Sequence, residues 1–185
     1  MPTRQRVILP EGISGDFAIR HFNGQTTDYN WERYLNMKNE TAEEYTVLTK
    51  ESCPWPIMQD SYAEYREHQQ LWDNATGDVL IGGLGIGMIN IPLLASSDIT
   101  SVTIVEKNQD VIDLVWANCA KDDRFTLIHA DINTWTPPEG SSWDVAWFDT
   151  WLTFDESNSD YIARMNDRYG SYVSEMNGWE WPSEG

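Results

Sequence analysis

With 185 residues the chain suffices for one domain of ordinary size, and its ten tryptophans and 41% hydrophobic content exclude a disordered protein. Thirty acids stand against twelve bases, a formal charge of −18, which repels a polyphosphate over most of the surface and argues against nucleic-acid binding. No window approaches a membrane span and Met1–Pro10 has no long apolar core, so the composition predicts a soluble, cytoplasmic protein.

Residues 1–76 are polar and interrupted and read as an N-terminal extension, packed on a core domain spanning 77–185. The extension is expected to hold strands near Val7–Leu9, Phe17–Phe22 and Glu44–Thr49, with a polar helix over Tyr29–Met37. Ser61 and Glu64 have the spacing of a capping box, which opens a predicted helix over 61–74.

From residue 78 the texture changes to strands and helices in regular alternation, the pattern of a parallel α/β sheet. Asp78–Ile81 runs into glycines, whereas the runs at 101–106, 125–131 and 143–149 each close on an acid: Glu106, Asp131 and Asp149. A helix starting near Met88 tolerates Pro92 in its first turn or just beyond, and Asn108 is placed to cap the helix bearing Val111, Ile112, Leu114 and Val115. A last helix over 157–173 puts Tyr161, Ile162, Met165, Tyr169 and Tyr172 on one face. The expected fold is a Rossmann-like sheet of order 3-2-1-4, truncated after the fourth strand. Its exposed fourth strand invites a second copy, so a homodimer is expected.

The chemistry lies in the turn Gly82-Gly83-Leu84-Gly85-Ile86-Gly87, between a strand and a helix. Glycines there allow a tight turn and close approach of a ligand to main-chain N–H groups. In a βαβ unit an acid closing the next strand, here Glu106, commonly accepts from ribose hydroxyls. Carboxyl ends of parallel strands line one crevice, so the turn, Glu106 and Asp131 together point to an adenosine-type ligand. The scattered Cys53 and Cys119, with His21, His68 and His129, form no metal motif. His129 reads as a core or helix-facing histidine rather than a general base, His68 and Glu67 as a solvated helix face rather than cleft residues, and Trp147 as core. Asp60 and Tyr62 are candidates to line the acceptor side, although they stand at a helix start, where acids are favoured for the dipole alone.

The runs 79–87, 102–112, 129–135 and 143–151 resemble the cofactor half of class I S-adenosylmethionine-dependent methyltransferases, and are most similar to the spermidine synthase-like branch. The helix with Ala63–His68 sits as in that branch, and the resemblance covers roughly 57–151. It implies that Gly82, Gly83, Leu84, Gly85 and Gly87 form the cofactor turn, cradling the methionine or aminopropyl portion. Glu106 would bind ribose, with Lys107 beside it, while Asp131 accepts from the adenine amine and Ile132 packs on the ring. Asp149 would face the reacting centre as the catalytic carboxylate. By its place in the loop after that strand, Trp151 is expected either to stack on a base or shield a sulfonium, or to pack under the C-terminal helix. Where many methyltransferases have an acid this chain has Ile81, and where spermidine synthases have an aspartate in the turn it has Gly85. The second difference favours S-adenosylmethionine or a nucleoside product over the decarboxylated cofactor.

The expected function is therefore an S-adenosylmethionine-binding transferase acting on a small, cationic acceptor. The alternatives are aminopropyl transfer, releasing methylthioadenosine, and a non-catalytic cofactor-binding or sequestering protein. Cofactor breakdown without an acceptor and nicotinamide-dependent hydride transfer stand further off.

Overall fold

The computed structural model describes residues 4–22, 44–150, 158–178 and 181. The helix expected over Tyr29–Met37 and the side chain of Trp151 lie outside them. The chain divides into two compact units, one of residues 1–69, 85–91 and 109–120, the other of 70–84, 92–108 and 121–185.

The first unit carries an antiparallel sheet, β1 (Gly12–Ser14), β2 (Phe17–Phe22), β3 (Tyr45–Lys50) and β4 (Met58–Gln59), in sequential order. Val7–Leu9 is not a strand. Val7 donates its N–H to Asp60 Oδ2 (2.8 Å), its carbonyl accepts from Thr46 Oγ1 (2.6 Å), and the Leu9 carbonyl is held by His21 Nε2 (2.8 Å). Side chains thus satisfy a segment whose apolar pattern mimics a strand. The predicted helix over 61–74 is two, α1 (Tyr62–Glu67) and α2 (Gln69–Asn74). Ser61 caps the first through its hydroxyl (3.2 Å from Glu64 N). The break falls at His68, which is buried with Nδ1 2.7 Å from the Glu64 carbonyl, so it is not the solvated residue expected.

The second unit carries a parallel sheet of β5 (Gly77–Gly82), β6 (Ile99–Glu106), β7 (Phe125–His129), β8 (Trp143–Phe148) and β9 (Val173–Gly178), ordered β7-β6-β5-β8-β9. The Rossmann-like order 3-2-1-4 holds, but the sheet is not truncated after its fourth strand. β9 pairs in parallel with β8 from Trp143↔Val173 to Phe148↔Gly178. The open edge is therefore not β8, which removes the reason given for a homodimer.

Along the chain, α3 (Asn90–Ala95) follows β5, and α4 (Gln109–Val115) follows β6. Pro92 is the third residue of α3, where its missing N–H has no helical partner to lose. α4 belongs to the first unit, in which Asp110 Oδ1 accepts from Ser14 Oγ at 2.7 Å. α5 (Asn158–Tyr169) leads from β8 to β9. It buries Tyr161, Met165 and Tyr169 against Leu80, Val105, Phe148 and Ala146 of the sheet. Each such side chain contributes on the order of 2 kcal/mol by leaving water. Among the described residues no helix is long and apolar enough to cross a membrane.

Candidate functional site

Parallel pairing places the carboxyl ends of β5, β6, β7 and β8 along one edge of the sheet. Glu106 lies opposite His129 in register, and Asp131 follows two residues later, so the two acids stand on adjacent strand tips as the sequence requires.

The glycine turn begins where β5 ends. Gly83 adopts φ +101°, a conformation L side chains avoid, and donates its N–H to the Val105 carbonyl (2.9 Å). A Cβ on Gly83 would lie 3.1 Å from the Asp149 carbonyl and 3.4 Å from Thr150 Cγ2. This turn and the loop after β8 therefore approach as closely as backbone allows. Gly82 is tight for another reason: a Cβ there would meet Phe148 Cδ1 at 3.0 Å and Ile132 Cγ1 at 3.2 Å.

Glu106 is 6% exposed, and its carboxylate is already engaged. Oε2 accepts from the Leu84 N–H (2.9 Å), while Oε1 accepts from the Asn108 N–H (2.7 Å) and side-chain amide (3.0 Å). Asn108 thus spends its amide on Glu106 instead of capping α4. A carboxylate offers about four acceptor positions. Three are used by the protein, and the remaining one is on Oε2. Sequence reasoning located Glu106 but missed this second task, which is to pin the glycine turn to the tip of β6.

Asp131 is half-buried. Its Oδ1 accepts from the Asn133 N–H (2.9 Å) and side-chain amide (2.8 Å), and among the described residues Oδ2 has no hydrogen-bond donor. Burial pushes the carboxyl up, but the two Asn133 bonds and the charges of Lys107 and Arg164 outweigh it and hold the pKa below its ordinary value. The group is a fixed anion with one oxygen to offer.

The other expected residues divide. Asp149 is half-buried and joined to β5 by its N–H on the Gly82 carbonyl (3.3 Å). Lys107 faces Asp131 with its charge, and its carbonyl lies 3.1 Å from His129 Nε2. His129 is exposed, not core, because β7 is an edge strand. Ile132 is 2% exposed within the core cluster, leaving no face for a purine ring. Gly85 and Gly87, with φ +53° and +71°, belong to the first unit. There the Met58 thioether fills the Cβ space of Gly85, and Cys119 Cβ lies 2.6 Å from that of Gly87.

Asp60, the other acid considered, is structural. It is fully buried and accepts from Val7 N, Thr46 N (2.8 Å) and Arg4 NH2 (3.2 Å), with the Arg4 guanidinium stacked over Tyr45 at 4.3 Å. Among the described residues no cluster of three or more His, Cys, Asp or Glu side chains could hold a metal ion.

Comparison with protein families and with curated proteins finds no match. Among solved structures the chain is similar to a candidate RNA methyltransferase from Pyrococcus horikoshii (15% identity, TM-score 0.48, 65% of this chain and 60% of that one). It is also similar to a dimethyladenosine transferase from Plasmodium falciparum (16%, TM-score 0.42, covering 54% and 35%). A third is the glycopeptide N-methyltransferase MtfA in complex with S-adenosylmethionine (19%, TM-score 0.44, covering 60% and 48%). The chain thus matches about three-fifths or less of the length of each of these. The likeness is one of fold.

Proposed function

We propose that this chain binds S-adenosylmethionine at the carboxyl edge of the parallel sheet and transfers its methyl group to a small, cationic acceptor. The observation that carries the reading is the pinned glycine turn, Leu84 N–H on Glu106, beside a second carboxylate, Asp131, whose Oδ2 has no donor among the described residues. The remaining acceptor position on Glu106 Oε2 suits one ribose hydroxyl, and Asp131 Oδ2 suits the exocyclic amine of adenine. Gly83 lets the main chain approach the ligand without a side chain in the way. The bound cofactor supplies a sulfonium-activated methyl group.

For such a displacement the protein's share is mainly orientation. Asp149, on the loop that approaches Gly83, is suited to accept the proton that a cationic acceptor must lose, or to hold its amine in line. The acidic composition favours an amine over an anionic acceptor. S-adenosylmethionine is preferred to its decarboxylated form because the turn carries Gly85 where spermidine synthases have an aspartate.

Calorimetry with S-adenosylmethionine and S-adenosylhomocysteine tests the binding; no heat from either at about 1 mM overturns it. Offering both forms of the cofactor with putrescine then separates the chemistries, since S-adenosylhomocysteine marks methyl transfer and methylthioadenosine marks aminopropyl transfer. Asp149→Asn is expected to lower turnover at least about 100-fold while leaving affinity within about threefold.

A further inference from the structure

Helix α5 (Asn158–Tyr169) directs a polar stripe at the two loops that frame the proposed site. Tyr161, Arg164, Arg168 and Tyr169 recur at helical spacing around the buried Met165. The Tyr161 hydroxyl shares a 2.7 Å hydrogen bond with Thr150 Oγ1, next to Asp149. Arg168 donates to the Trp135 carbonyl (2.8 Å), and the Tyr169 hydroxyl donates to the Ile132 carbonyl (2.5 Å), both just after Asp131. Arg164 differs because the side chain it reaches itself donates to Asp131. Its NH2 donates to Asn133 Oδ1 at 3.1 Å, while its guanidinium lies over the Tyr161 ring at 5.3 Å.

A side-chain amide accepts at one end and donates at the other, so it can pass an orientation along. Asn133 does both: Oδ1 takes the Arg164 donor, and Nδ2 gives its hydrogen to Asp131 Oδ1 at 2.8 Å. Accepting from a cation polarises the amide and strengthens the bond it donates. A direct Arg164–Asp131 pair would tend to occupy both carboxylate oxygens. The relay secures Oδ1 and leaves Oδ2 without a donor among the described residues.

We propose that Arg164 is a specificity-determining positioning residue for purine recognition, acting through the Asn133 amide to hold Asp131 with Oδ2 presented to an exocyclic amine. The inference rests on the reading of Asp131 as the purine-reading carboxylate. Hypoxanthine carries a carbonyl where adenine carries the amine, and a carboxylate held in place repels it. A carboxylate released from the relay can turn away and accept water, so discrimination falls with the hold.

The test uses the full chain and two probes, S-adenosylhomocysteine and S-inosylhomocysteine, with Kd values from calorimetry. The wild type is expected to favour the adenosyl compound. Arg164→Met, which keeps the aliphatic stem, should cut that preference about tenfold, chiefly through weaker adenosyl binding. Arg164→Lys, which keeps a donor, should restore it to within about threefold. Equal loss of affinity for both probes means a merely structural role and overturns the inference. A wild type that binds neither probe overturns the site itself.

A ligand-free readout separates the two failures. The Asp131 carboxyl, followed by carbon-detected NMR, is faced by Lys107, Arg164 and Tyr169, and His129 lies two residues before it on β7. Its titration midpoint should rise in Arg164→Met and in Asn133→Ala, more in the latter because the Asn133 side-chain bond, which that change removes, outweighs the Arg164 charge. An unchanged midpoint in a folded Arg164→Met protein refutes the relay, whatever the ligand results.

Discussion

Asp60 and Asp131 are both aspartates engaged by backbone N–H groups, yet one belongs to the scaffold and the other to the candidate site. Asp60 is fully buried, with both oxygens taken by Val7, Thr46 and Arg4. Asp131 is half-buried, with one oxygen held by Asn133 and the other without a donor among the described residues. Their acidities diverge accordingly. Burial drives Asp60 upward against its hydrogen bonds and Arg4, whereas Asn133, Lys107 and Arg164 overcome burial and draw Asp131 downward. Burial and engagement mark structure, and an unspent acceptor marks a place for a ligand.

The sharpest way to break this contrast is to remove Asp60. Asp60→Ala leaves the buried Arg4 without its carboxylate and orphans the Val7 and Thr46 amides, and should cost about 3–5 kcal/mol in urea unfolding. A cost below about 1 kcal/mol would make Asp60 as dispensable as a surface acid. Next comes Gly83→Ala. A positive φ and a Cβ 3.1 Å from the Asp149 carbonyl predict a loss of about 2–3 kcal/mol, together with loss of S-adenosylhomocysteine binding.

The smallest effect is in pH. Asp60, with its folded pKa raised, contributes stability that is present below the ordinary aspartate value of 3.8 and lost as pH climbs from there through the folded value. Asp131, with its folded pKa lowered, contributes stability that is present above 3.8 and lost as pH falls through the folded value. Between about pH 2 and 6, Asp131→Asn should therefore remove a rising stability slope, on the acid side of 3.8. Asp60→Asn should remove a falling one on the other side. Urea midpoints across that range measure both, and slopes of the same sign would refute the contrast.

The central strands were legible because each is a β-branched or aromatic run closed by glycine or an acid, a local signal that survives folding. β9 was not. Its sequence Val-Ser-Glu-Met-Asn-Gly has weak strand preference and is recruited by the backbone of β8. Glu106 and Asp131 could be placed by strand alternation, but what occupies their oxygens depends on neighbours that only the fold brings near. The Arg4–Asp60 pair spans 56 positions and the Arg164–Asn133 bond 31, beyond any local pattern. One signal was available. Arg164 and Arg168 flank Tyr161, Met165 and Tyr169 on a helix face read only for its apolar members, and a cation beside such a face reaches inward more readily than its charge suggests.

The same inward reach bears on the electric field of the whole chain. Of twelve basic residues, Arg4 is buried, and Arg124 directs its guanidinium to the carbonyls of Leu94, Ser96 and Ile99. Arg164 and Arg168 are likewise turned to loop acceptors. Arg4 is buried together with Asp60 and Arg124 pairs with Asp122, so acids are withdrawn along with these cations and the solvent still meets a strongly anionic protein. An ionic atmosphere drawn from the medium must supply the balance, so added salt should steady the fold up to the point where the Debye length falls inside the spacing of the surface acids.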